Sequence, residues 1–142
     1  PQQHADPDRD AGPLAYLAGG VGIAPILSHL RAFRAAGDRR PLLLVYGNTT
    51  EDQIAARDEL AAMQRELNLS VHHVLRDPPA GWPGHTGMMT RDVLETCLPA
   101  ENRDDWRYFI CGPGPMIDAS EDALRALGVP LHRIVSERFD YD

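Results

Sequence analysis

Two glycine-rich turns carry the residue types that could hold a charged ligand: Gly19-Gly20-Val21-Gly22-Ile23-Ala24-Pro25 and Cys111-Gly112-Pro113-Gly114-Pro115-Met116. Each follows a short apolar run and opens a helical pattern. Glycine has no Cβ, so the backbone can approach a ligand closely and adopt positive φ. A helix that begins at Pro25 presents N–H groups and about half a positive charge at its N-terminus. Pyrophosphate is the natural anion for such a turn. Taken singly, either turn also reads as a tight strand-to-helix connection without a ligand. The first is not Gly-x-Gly-x-x-Gly, because the last glycine is missing and Pro25 stands near its place. Cys111 has three open readings: a small buried residue, a ligand contact, or a nucleophile with a thiol pKa lowered by the helix N-terminus. No histidine stands near it in sequence.

These residues need elements that bring them together. Leu14 to Ala18 reads as a strand running into the first glycines, and Pro25 fits the first turn of the helix that follows. Ile26, Leu27, Leu30 and Phe33 then recur at helical spacing, with Gly37 as the stop. Leu42 to Tyr46 is uniformly apolar, as a central parallel strand must be. Thr50-Glu51-Asp52-Gln53 reads as a capping box opening a helix with Ile54, Leu60, Met63 and Leu67 on one face. Val71 to Leu75 is a third strand, residues 77–87 a turn-rich loop, and Thr90 the cap of a short helix to Leu98. Arg107 to Cys111 is a fourth strand. Its helix runs from about Pro115 to Leu127, with Met116, Ala119, Ala123, Leu124 and Leu127 inward. His132 to Ser136 is the last strand.

Strands alternating with helices predict an α/β, doubly wound, five-stranded parallel sheet with helices on both faces and strand order 3-2-1-4-5. Right-handed crossovers then put Gly19 to Gly22, Gly47-Asn48, Cys111 to Pro113 and Glu137 all at the carboxyl edge, where open α/β sheets bind ligands.

Composition narrows the function classes. The chain has 142 residues, 43% hydrophobic and 25% charged, as expected of one globular domain. A net charge of −7 with scattered basic residues argues against nucleic acid. All 14 basic residues are arginine, which excludes a Walker-type phosphate loop with its essential lysine. No apolar run approaches the roughly 20 residues of a membrane span, so this segment is not expected to insert in a membrane; the expected location is cytoplasmic, as a free protein or as the cytoplasmic domain of a membrane-attached one. Cys97 and Cys111 have no metal or redox spacing, the six histidines are dispersed, and no metal site is expected.

With both turns in view, the chain resembles the NAD(P)-binding module of the ferredoxin–NADP reductase family of flavoproteins, with a lean toward ferric-reductase-like or oxygenase-reductase members. Four segments carry the resemblance in order: Ala18 to Pro25, Leu42 to Asn48, Cys111 to Met116, and Ser136 to Phe139. It implies that Gly19, Gly20, Val21, Gly22, Ile23, Ala24 and Pro25 form the pyrophosphate loop and that Tyr46, Gly47 and Asn48 lie near the adenosine ribose. Cys111, Gly112, Pro113, Gly114 and Met116 would hold the nicotinamide side. Glu137 would sit at the nicotinamide–flavin contact, and Phe139 would cover the flavin ring or simply pack on the sheet edge. Cys111, Glu137 and Phe139 are thus the residues implied in catalysis.

The resemblance further implies a flavin, FAD or FMN, on a β-barrel domain that is absent here, with electrons leaving to a downstream one-electron acceptor. Residues 1–13 then read as a linker from that upstream flavin domain, residues 14–142 as the NAD(P)-binding domain, and the chain as a fragment that turns nothing over alone. Three departures stand out. Ala24 replaces a hydroxyl residue, Gly114 replaces the middle proline of CGPPPM, and Asp140 to Asp142 extend past Phe139. After the second strand come Asn48-Thr49-Thr50 rather than an arginine for a 2′-phosphate, so NAD(H) is favoured over NADP(H). Arg57 and Arg76 are the alternatives for that phosphate. The rival reading of the chain is a non-catalytic dinucleotide-binding or regulatory module.

Overall fold

Leu14 to Ala18 is buried on both faces because its side chains alternate between two cores. Leu14, Tyr16 and Ala18 enter one cluster, and Ala15 and Leu17 the other. Such a strand needs a helical layer above and below it, and the computed structural model, which describes residues 12–139, supplies both.

The elements are β1 (Leu14–Gly19), α1 (Ile23–Ala36), β2 (Leu42–Asn48), α2 (Arg57–Glu66), β3 (Leu69–Leu75), β4 (His85–Thr86), α3 (Arg91–Cys97), β5 (Arg107–Gly112), α4 (Gly114–Ala126) and β6 (Ile134–Arg138). All strands pair in parallel in the order β4-β3-β2-β1-β5-β6. Helices α1 and α2 cover one face through Ile26, Leu30, Phe33, Leu60 and Met63. Helices α3 and α4 cover the other through Leu94, Cys97, Ile117 and Leu124. Burying each such side chain stabilises the fold by about 1.5–3 kcal/mol.

The α/β class is as expected, but the sheet has six strands, not five. The addition is β4, a two-residue strand hidden in the turn-rich loop. It carries neither a β-branched run nor alternation long enough to register in sequence, and it forms because Val74 and Leu75 present a free edge. The order 3-2-1-4-5 is corrected accordingly.

Smaller differences have local causes. The Thr50 box opens only a 3-10 turn, Glu51–Gln53, in which the Gln53 side-chain oxygen accepts from the Thr49 and Thr50 N–H groups at 3.0 and 3.3 Å. Ile54 is extended and Ala56 takes φ 56°, so α2 starts only at Arg57. The last strand begins at Ile134, because His132 belongs to a preceding 3-10 turn. In α4 the buried positions are Gly114, Ile117, Ser120, Ala123 and Leu124, not Met116 and Ala119, which face a cleft. Residues 1–11 of the expected linker and Asp140 to Asp142 lie outside the described residues.

Candidate functional site

Since every strand points the same way, the segments that follow them share one edge. A cleft of about 880 Å³ opens there, within the range of small-molecule and cofactor sites. Its walls are Gly19 to Val21, Ile23 and Ala24 from the first turn, Tyr46 to Thr49 from the end of β2, and Pro113, Pro115 and Met116 from the second turn. Arg76 follows β3, and Gly87 to Met89 follow β4. The turns near residues 20, 47 and 112 therefore do converge.

Backbone contact holds the two glycine turns together. A Cβ on Gly22 would collide with the Cys111 carbonyl oxygen and lie 2.6 Å from its carbon. A Cβ on Gly19 would sit 3.4 Å from Met116. Gly20 takes φ +55°, the left-handed region that lets the chain turn from β1 into α1. Gly22 is thus needed for contact, and Gly20 for conformation.

Of the helices that begin on this edge, the two that open from the glycine turns differ from the other two in their first turns. Helices α1 and α4 have no side-chain cap and no acidic residue in the first turn. By contrast, α2 begins with Asp58 and Glu59, while α3 is capped by Thr90, whose hydroxyl accepts from Val93 N–H at 3.3 Å, and carries Asp92. The positive dipole end is thus met by acidic side chains at α2, and by the Thr90 cap and Asp92 at α3, and is left for a ligand at α1 and α4. Another donor points to a ligand: the Asn48 side-chain nitrogen is buried at the cleft wall with no partner among the described residues.

The remaining implied residues fall outside the cleft lining. Gly22, Gly112 and Gly114 are buried in the framework behind it, and Pro25 lies within the first turn of α1. Cys111 is fully buried in the core. Burial, with the Glu137 carboxylate adding to it, pushes its thiol up to about 12. Of the three readings of Cys111, burial is the one the structure realises, and a nucleophile is the reverse of what this environment makes. In a Cys97→Ser background, Cys111 should react with iodoacetamide at pH 8 about a hundredfold or more slower in the native chain than in urea. Labelling at the unfolded rate would refute this placement.

Glu137 is exposed and lies opposite Cys111 in the β5–β6 register. Phe139 is half-buried against the α1-side core, and its N–H donates to Gly112 O at 2.9 Å.

Sequence reasoning missed Gln53 and Met89 as cleft residues, since nothing local marks them. Arg57 is engaged: it pairs with Glu51 at 2.7 Å and sits over the Trp82 ring. Nor are the histidines dispersed in space, because His72 and His85 meet beside Cys97. No helix among the described residues is long and apolar enough to cross a membrane.

Comparison with known proteins agrees with this geometry. The profile described as the oxidoreductase NAD-binding domain matches residues 16–122. NADH-cytochrome b5 reductase 1 of Pyricularia oryzae is 39% identical over 128 residues, 87% of this chain and 41% of that protein. A cytochrome P450 reductase from Amycolatopsis has a TM-score of 0.80 at 27% identity, over 94% of this chain and 39% of that one. The cytochrome b5 reductase domain of Ulva prolifera nitrate reductase has a TM-score of 0.78 at 25% identity, over 88% of this chain and 48% of that one. The chain thus spans less than half the length of these relatives.

Proposed function

We propose that this chain, which belongs to the family of oxidoreductase NAD-binding domains, holds a nicotinamide dinucleotide across its cleft and presents the nicotinamide end to a flavin on a separate domain. The observation that carries this reading is the pair of helix N-termini with neither a side-chain cap nor a first-turn acid, α1 and α4, brought to one cleft by turns in backbone contact. Two such ends suit a long anionic ligand better than a single phosphate.

Each group of residues then has a physical task. Gly20, Val21, Ile23 and Ala24 would line the pyrophosphate, with the Ile23 N–H closing the turn on the Gly20 and Val21 carbonyls. Tyr46, Gly47 and Asn48, with Thr49 and Gln53, would flank the adenosine half, where Asn48 offers its unpartnered donor. Pro113 and Met116 would shelve the nicotinamide half. Gly22, Cys111, Gly112 and Gly114 act as framework. Glu137 and Phe139 stand at the end of β6 beside the second turn, where a flavin domain would approach. When bound, the dinucleotide supplies a hydride that the flavin takes up. What this chain contributes is orientation, and holding two rings in register can supply about 7–11 kcal/mol of a barrier. The electrons then pass to a one-electron acceptor, as the names of the cytochrome b5 reductase relatives suggest. Membership of an oxidoreductase family favours this over a regulatory module.

NADH is the preferred dinucleotide. Asn48 and Thr49 occupy the place where an arginine would read a 2′-phosphate, Arg57 is paired with Glu51, and the similar Pyricularia oryzae enzyme is named for NADH. Arg76 is the cleft's one arginine among the described residues. A missing charge-assisted pair is worth about 1.5–3 kcal/mol, or roughly tenfold and more in affinity. Parallel calorimetric titrations should show NAD⁺ binding about tenfold or more tighter than NADP⁺, with no diaphorase turnover until a flavoprotein partner is supplied. Tighter NADP⁺ binding would reverse the preference, and binding of neither would overturn the reading.

A further inference from the structure

On the far edge of the sheet, three donor side chains unused by the nucleotide cleft converge. His72 lies on β3, His85 on β4, and Cys97 is the last residue of α3. The register explains the meeting. Val74 pairs with His85, and His72, two residues back along β3, shows the same face as Val74. Cys97 reaches that face from α3, within the core cluster that also holds Val74. His73, on the opposite face, goes to Tyr46 instead.

The distances suit one ion. His72 Nδ1 and His85 Nε2 are 3.2 Å apart, and the donor atoms of all three residues lie within 4.8 Å of one another. Two imidazole nitrogens on one tetrahedral zinc, each about 2.0–2.1 Å away, stand about 3.3 Å apart, and nitrogen to thiolate sulfur about 3.6 Å. The nitrogen pair already has that spacing, and the sulfur needs to close by little more than about 1 Å at most. A shared proton between the imidazoles would explain the nitrogen contact alone, but not a thiol at the same point. The Trp82 indole N–H donates to the His85 carbonyl at 2.9 Å, anchoring a strand of only two residues. Imidazole and thiolate without a carboxylate select a thiophilic cation over magnesium or calcium.

We propose that His72, His85 and Cys97 bind a thiophilic divalent cation of the zinc type, which fastens β4 and the end of α3 to the β3 edge. Strand β4 leads directly into Gly87 to Met89 of the cleft wall, so the ion also stiffens that wall. The site rests on donor geometry alone and stands whether or not the cleft takes a dinucleotide.

Cobalt(II) is the probe. Titrated into the reduced, chelator-treated chain, it should bind once per chain, giving a thiolate-to-metal charge-transfer band and tetrahedral visible absorption. Zinc should displace it and raise Tm on the order of 5 °C at a hundredfold excess over Kd. Cys97→Ser should abolish the charge-transfer band, and His85→Gln should weaken binding on the order of tenfold or more. His132→Ala, outside the cluster, should bind as the parent does. Far-UV circular dichroism checks that each variant folds. Absence of a charge-transfer band in the unsubstituted chain, or a cobalt spectrum that survives Cys97→Ser, overturns the proposal.

Discussion

Gly22→Ala should lose about 1–3 kcal/mol of stability and weaken dinucleotide binding tenfold or more, although it adds a single methyl group. The new Cβ would meet the Cys111 carbonyl, 3.0 Å from the Gly112 nitrogen as well. Both obstacles are backbone, so neither can rotate away. One turn must move off the other, and the cleft between them widens. Two neighbouring glycines serve as controls. In Gly112→Ala the Cβ meets chiefly the Met116 sulfur at 2.7 Å, the far end of a flexible side chain that can swing aside. In Gly20→Ala the Cβ enters open space and the cost is the left-handed φ, about 1 kcal/mol. Urea midpoints and NAD⁺ titration of all three test the ranking. If Gly22→Ala is as stable as Gly112→Ala, the turns are not in backbone contact and the account of the cleft fails.

Tyr46→Ala should be the more damaging change, costing about 3–5 kcal/mol and lowering Tm by about 10 °C or more. The ring is 1% exposed, lies in the α1-side core, and has its centroid 5.8 Å from that of His73. Its hydroxyl accepts from Ala55 N–H at 3.0 Å, which holds residues 54–56 over the end of β2. Tyr46→Phe keeps the packing and loses only this bond, about 1 kcal/mol. The pair separates two roles of one residue. Alanine removes the cleft floor, whereas phenylalanine loosens the segment that leads from the Gln53 side of the cleft into α2. Thermal melts that find the two variants equally stable would contradict the burial of the ring.

Function in this chain was legible where local chemistry repeats. The Thr90 cap, the Gly37 stop at φ 65° and the four longest strands follow from nearest-neighbour preferences and appear where read, each strand one or two residues longer. The glycine turns were also legible, because parallel strands leave only one edge for them. Their individual duties were not. Gly20 and Gly22 look alike in sequence, yet one is held by its own φ and the other by a carbonyl far along the chain. Cys111 was ambiguous for the same reason: its thiol is decided by neighbours from other strands.

The sequence alone therefore determined the α/β class and the shared edge, since each rests on periodicity or on residues adjacent in the chain, and the resemblance of four short segments pointed to the family. Tertiary structure decided the rest. Strand β4 exists only because the β3 edge offers it hydrogen bonds. Met116 and Ala119 face the cleft because the helix rotates to bury Ile117 and Ser120. His72, His85 and Cys97 meet because the β3–β4 register and the packing of α3 bring three separate segments to one point. Proximity across elements is set by packing and register, and neither is written in local spacing.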